Sequence, residues 1–169
     1  MQNLIIRITQ ENKDLLKDEK IGCFIVPENL SENFMSDFVT AAKEANKLVL
    51  IEGENAPETY QKYNADGFIV STVKEEKPQK ILKQLKARNP QAVMGVITRN
   101  RRHEAMLVSE CEPDFVIFRF WKDGFNENAE LLKWYNDLFL IQNAALIEED
   151  CDYKSLPADF IILPDTRYL

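Results

Sequence analysis

The sequence predicts an α/β fold, a lean or incomplete (β/α)8 TIM-type barrel of parallel strands, and three observations carry that expectation. A phrase that sets an aspartate before a short apolar run is written three times: ADGFIVS at 65–71, PDFVIFR at 113–119 and ADFIILP at 158–164. The aspartates are Asp66, Asp114 and Asp159, spaced by 48 and then 45 residues. Upstream of each lies a second apolar run, LVLIEG at 48–53, VMGVIT at 93–98 and LFLIQN at 138–143, recurring every 45 residues. Self-similarity at a fixed period marks a repeating architecture. Short apolar runs alternating with helical stretches give βα units on a parallel sheet. The runs are apolar without alternation, as expected of strands buried on both faces.

Taken in order, strands are expected at 4–8, 21–26, 48–51, 67–70, 93–97, 115–120, 138–141 and 160–163. Helices are expected at 31–46, 56–64, 78–89, 101–111 and 127–136, with shorter pieces near 11–18 and 151–156. Ser31, at the head of the first long helix, is a natural N-cap. Eight strands favour a barrel over a flavodoxin-like open sheet, which has five. Such barrels usually take about 250 residues, with about 200 as the lower bound. At 169 residues this one must be economical, and one domain over 1–169 accounts for the length. Only PDTRYL follows the last strand, so one flank should be short of cover. A homodimer is the expected remedy.

Composition narrows the partners. The net charge is −7 and the pI about 4.9. That balance argues against nucleic acid, whose affinity rests on Lys and Arg against phosphate, and gives no help on an anionic membrane. No run of about 18 apolar residues suggests a membrane span, and MQNLIIRITQ lacks the pattern of a signal peptide. Cys23, Cys111 and Cys151 form no CxxC and are odd in number, which suits reduced thiols and a cytoplasmic location.

Chemistry in such a barrel belongs to the C-terminal ends of the strands, and stability to the opposite face. Asp66, Asp114 and Asp159 fall on the stability face, where a carboxylate can hold local backbone amides. The chemical face offers Glu28, Glu52, Glu54, Ser71, Thr98, Arg99, Arg119, Trp121, Lys122, Asn143 and Asp165. TRNRR at 98–102 can hold a phosphate or carboxylate, chiefly through Arg99. EGEN at 52–55 can offer hard oxygen ligands to a divalent cation, or simply be solvated. The five glycines include none after the last two strands, so the usual phosphate cradle of these barrels is missing or built differently. His103, the only histidine, has no nucleophile in view, and FRFW at 118–121 reads as packing.

The order of motifs resembles the thiamine phosphate synthase family and its tautomerase relatives. LVLIEGENAPETYQKYNADGFIVS (48–71), MGVITRNRRHEAMLVSECEPDFVIF (94–118) and NLSENF (29–34) carry the likeness, over roughly residues 20–165. The resemblance implies a magnesium-dependent condensation that releases pyrophosphate, held by basic and polar loop residues. Set against that pattern, Val26 and Glu28 stand where Arg and Lys are expected, Ile51 and Glu52 where the metal-loop Asn-Asp is, Lys74 where the second metal aspartate is, and Ile97 in place of a serine. Thr98 remains. A departing pyrophosphate needs several cations around it, so the resemblance implies a pseudoenzyme that has lost its catalytic residues.

Together these readings give a barrel that binds a small anionic metabolite or a protein partner without synthase activity. The alternative is an enzyme, a thiamine phosphate synthase or another acting on a phosphorylated metabolite at the mouth. Expected ligand-binding residues are Glu52, Ser71, Thr98, Arg99, Lys122 and Asn143, with no metal site, no cofactor and no catalytic residue assigned. An arginine facing a carboxylate across one mouth would favour a small ligand. A mouth filled by side chains such as Trp121 would favour a protein partner.

Overall fold

A computed structural model describes residues 3–168. Eight parallel strands pair in sequential order and close: β1 (Asn3–Arg7), β2 (Cys23–Pro27), β3 (Leu48–Glu52), β4 (Gly67–Ser71), β5 (Val93–Ile97), β6 (Phe115–Phe120), β7 (Gln142–Ile147) and β8 (Phe160–Pro164). Closure is complete, since β1 meets β8 over five residue pairs from Asn3↔Phe160 to Arg7↔Pro164. Helices α1 (Glu32–Glu44), α2 (Ala56–Tyr63), α3 (Pro78–Arg88), α4 (Arg102–Glu110), α5 (Phe125–Leu138) and α6 (Asp165–Tyr168) lie between or after the strands. Ser31 caps α1 as expected, its hydroxyl accepting from the Phe34 amide at 3.3 Å.

The barrel separates two cores, which is why the strands read as unbroken apolar runs. Inside the barrel pack Ile5, Ile25, Leu50, Ile69, Ile97, Phe115, Ile117, Ala144, Leu146 and Ile162. Between barrel and helices lies a larger cluster that includes Ile6, Phe24, Phe38, Val49, Phe68, Val96, Phe118, Tyr135 and Ile161. Residues two apart on a strand share a face, so odd and even positions serve different cores and both must be apolar. Cys23 belongs to the inner core. Burial, reinforced by the negative charge of Asp66, pushes its thiol up to about 12.

The repeated aspartate is a clamp on the strand pair. The Asp66 carboxylate accepts from the Val49 amide at 2.8 Å, while the Asp66 amide donates to the Val49 carbonyl at 2.9 Å. Asp114 does the same to Met94, at 2.7 and 2.8 Å. Asp159 accepts from the Asn143 amide at 3.0 Å, and the Asn143 side chain returns the bond by accepting from the Asp159 amide at 3.1 Å. Each clamp ties the start of an even strand to the second residue of the odd strand before it. The period is therefore one pair of strands, a quarter of the barrel.

Two expectations need correction. The run 138–141 is no strand: α5 continues to Leu138, and β7 starts at Gln142. Phe139 stacks on Tyr135 with ring centroids 4.8 Å apart, so the apolar run closes the helix, and the strand is the less apolar QNAALI. Nor is the β8–β1 flank bare. A 3-10 turn at Asp14–Lys17 stands in for a helix after β1, another at Tyr153–Ser155 for one after β7, and α6 has four residues. Leu15, Leu16 and Leu156 from these turns are buried in one cluster with Ile6, Ile8, Ile161 and Leu163. Economy of length comes from replacing two helices by short turns with buried leucines and a third by the four-residue α6.

Candidate functional site

Alternation carries the inner face of each strand out to the C-terminal mouth. Arg7 follows Ile5, Glu52 follows Leu50, Ser71 follows Ile69, Arg119 follows Ile117 and Glu148 follows Leu146, so these side chains ring the opening. The floor is an ion pair. Arg7 Nε donates to Glu52 Oε2 at 2.8 Å and Arg7 Nη2 to Glu52 Oε1 at 2.6 Å, a bidentate fork between β1 and β3. Glu148 Oε1 stands 3.9 Å from Arg7 Nη1, which is beyond hydrogen-bond length.

Arg119 is the one guanidinium of this ring left without a counter-charge among the described residues. Its Nε is buried and has no hydrogen-bond partner. Its Cζ lies 5.0 Å from the centroid of the Trp121 ring, which braces the planar group from one side. Asn100 fixes the backbone beneath it, accepting from the Arg119 amide at 3.3 Å and donating to its carbonyl at 2.7 Å. A buried donor with no partner costs about 1–3 kcal/mol, more when charged, so this orientation asks for an acceptor.

The other expected residues divide. Glu52 is at the mouth, locked to Arg7. Ser71 ends β4 and is exposed. Arg99 reaches over the rim, Nε donating to the Val73 carbonyl at 2.6 Å and Nη1 lying 3.6 Å from Glu104 Oε1. Arg101 approaches the same carboxylate at 3.8 Å. Glu104 thus already supplies the anion that TRNRR was expected to recruit. Arg102 turns away to lie over Trp134. Thr98 is fully buried, in register with the outward-facing Val96, and its hydroxyl has no partner. Lys122 is exposed on the loop after β6, where its amide donates to Glu149 Oε1 at 3.4 Å.

Asn143 does not reach the mouth. It is the second residue of β7, at the opposite end of the barrel, engaged by Asp159 and Asn136. The sequence places it at a strand end only if the apolar run 138–141 is the strand. The same shift concealed Glu148, which follows the true β7. Arg7 was missed for another reason: one charge near the end of the apolar LIIRI run gives no local signal. Its parity with Ile5 on a barrel strand is the signal that finds it.

Other acids have structural roles. Glu28 folds over the β3–α2 loop and accepts from the Asn55 amide at 3.2 and 2.9 Å. A Cβ on Gly53 would lie 2.1 Å from the Glu28 carboxyl carbon, so glycine is what admits that loop contact. Asp165, 2% exposed, accepts from the amide and hydroxyl of Thr9 and seals the β8–β1 seam. His103 is exposed in the first turn of α4. Among the described residues no group of three or more His, Cys, Asp or Glu is arranged to hold a metal ion, and no helix is long and apolar enough to cross a membrane.

No family model and no curated protein matches the chain. Solved structures do. The citrate synthase SbnG aligns with TM-score 0.69 at 12% identity, covering 99% of this chain and 87% of that one. A mutant tryptophan synthase α-subunit from Pyrococcus furiosus aligns with TM-score 0.71 at 10% identity over 96% and 86%. A glycerol uptake operon antiterminator regulatory protein from Listeria monocytogenes aligns with TM-score 0.67 at 13% identity over 99% and 94%. These are likenesses of fold. They bear out the (β/α)8 barrel and overturn the assignment to thiamine phosphate synthase. The phrases behind that resemblance are the clamps and strands that a barrel needs for its own closure, so they speak to architecture alone. With the assignment falls the inference that this chain lost a synthase's catalytic residues.

Proposed function

We propose that the protein binds a small organic anion at the C-terminal mouth of its barrel. The observation that carries this reading is Arg119, a guanidinium with a buried, unpartnered Nε, braced on Trp121 and without a carboxylate of its own among the described residues. A planar fork held in this way suits a carboxylate, which can take two parallel hydrogen bonds. A phosphate suits it less. The loops after β7 and β8, the usual phosphate loops of such barrels, carry Glu148, Glu149, Asp150, Asp152 and Asp165. The bidentate Arg7–Glu52 pair supports binding over turnover, because the Glu52 carboxylate at the mouth is already held by a permanent cation.

The test is calorimetry with a panel of small mono- and dicarboxylates beside phosphate monoesters. Carboxylates are expected to bind. Arg119→Met should abolish binding, and Arg119→Lys should weaken it about tenfold or more, since an ammonium keeps the charge and loses the fork. Unchanged affinity in Arg119→Met would refute the proposal.

A further inference from the structure

We infer that the anion bound at this mouth is zwitterionic, an α-amino acid or a close relative with a carboxylate and a nearby ammonium. This rests on the reading of Arg119 above and adds the group that faces it. The charged members of the inward ring are Arg7, Glu52, Arg119 and Glu148, and Arg99 reaches over the rim beside them. Arg7 is committed to Glu52 through two bonds at 2.6 and 2.8 Å. Arg99 is committed to the Val73 carbonyl at 2.6 Å and to Glu104 at 3.6 Å. Two opposite charges remain. Arg119 has no ion pair among the described residues. Glu148 has only the 3.9 Å approach of Arg7, whose charge Glu52 already neutralises.

These two groups belong to neighbouring strands. The β6–β7 register places Arg119 opposite Leu146 and Phe120 opposite Ile147. The Glu148 amide extends the ladder by donating to the Phe120 carbonyl at 2.9 Å. Glu148 therefore stands one pleat beyond Arg119's partner on the same inner face, a diagonal neighbour. Arg167 Nη2 donates to the Glu148 carbonyl at 3.2 Å, which fixes the backbone without engaging the carboxylate. Yet no ion pair joins Arg119 to Glu148. Opposite charges on one face of adjacent strands attract each other and can pair when neither is held elsewhere. Trp121 braces Arg119, and Glu148 lies 3.9 Å from Arg7. A ligand that bridges the two must offer an acceptor to the first and a cationic donor to the second. A plain carboxylate would satisfy Arg119 and meet Glu148 as a like charge.

The experiment is calorimetry on the full chain with alanine, leucine, phenylalanine and glutamate, each beside its 2-hydroxy acid and its decarboxylated amine. At least one amino acid should bind more tightly than both of its analogues. Glu148→Gln should weaken that amino acid by about tenfold or more, the loss of one charge-assisted contact, and leave the hydroxy acid unchanged or tighter. Thermal melts of the unliganded variants check that each is folded. Equal binding of amino acid and hydroxy acid, both indifferent to Glu148→Gln, overturns the zwitterion and leaves the anion site standing. Binding by neither, or binding indifferent to Arg119→Met, overturns both.

Discussion

The aspartate clamps act at the scale of single atoms, and their worth can be read one residue at a time. Asp114 receives the Met94 amide at 2.7 Å on the stability face of the barrel. Removing the carboxylate leaves that amide without its acceptor at the start of β5. A hydrogen bond to a charged group contributes about 1.5–3 kcal/mol. Asp114→Ala should therefore cost about 2 kcal/mol in chemical denaturation, and Asp114→Asn clearly less, because the amide oxygen still accepts. Equal losses in the two variants would place the stabilisation in charge and remove it from the hydrogen bond. Sequence reading reached these aspartates and their structural role because the phrase is repeated. Arg119 appeared only as one of many charges at strand ends. What distinguishes it is that Arg7, Arg99 and Arg101 each find a carboxylate and it does not, a property of packing that no local pattern encodes.

At the scale of elements, the barrel interior depends on a gap in β5. A Cβ on Gly95 would lie 2.5 Å from Phe115 Cζ and 2.6 Å from Ile69 Cδ1. The missing side chain lets Phe115 cross the interior and meet Phe160, their centroids 6.0 Å apart. Gly95→Ala should overpack this layer and cost about 1–3 kcal/mol. Pairing it with Phe115→Leu should recover part of that loss, and a double-mutant cycle measures the coupling. Strictly additive costs would rule out the gap as the reason for the glycine. Seven of the eight strands were legible within two or three residues, because unbroken apolar runs between turn residues are a strong signal. The seventh was not. Ala144 and Ala145 make β7 weakly apolar, while Leu138, Phe139, Leu140 and Ile141 just upstream are strongly so. That displacement moved Asn143 to the wrong end of the barrel and concealed Glu148, so one misread boundary altered two site residues.

At the scale of the whole molecule, the same displaced run bears on association. The flank expected to need a partner is already covered by Leu15, Leu16 and Leu156. Exposed apolar surface lies elsewhere, at the stability face. Leu138 is 64% exposed and Leu140 102%, beside the partly buried Phe139 and Ile141. We propose that the chain forms a homodimer through this edge, each copy covering the other's leucines. Burying a leucine fully contributes about 1.5–3 kcal/mol, so four of them offer about 6–12 kcal/mol. Association costs about 4–15 kcal/mol before any gain is seen, and a charge of −7 on each copy adds repulsion. The dimer should accordingly be weak, concentration-dependent and strengthened by salt, which screens the repulsion. Sedimentation equilibrium from about 10 to 200 μM, a range set by these marginal free energies, should show the shift from monomer to dimer. Leu140→Lys should hold the chain monomeric throughout without lowering its melting temperature, since a side chain wholly in water supports nothing in the fold. A dimer that survives this change would place the contact on another face, and a wild-type monomer at the top of the range would remove it.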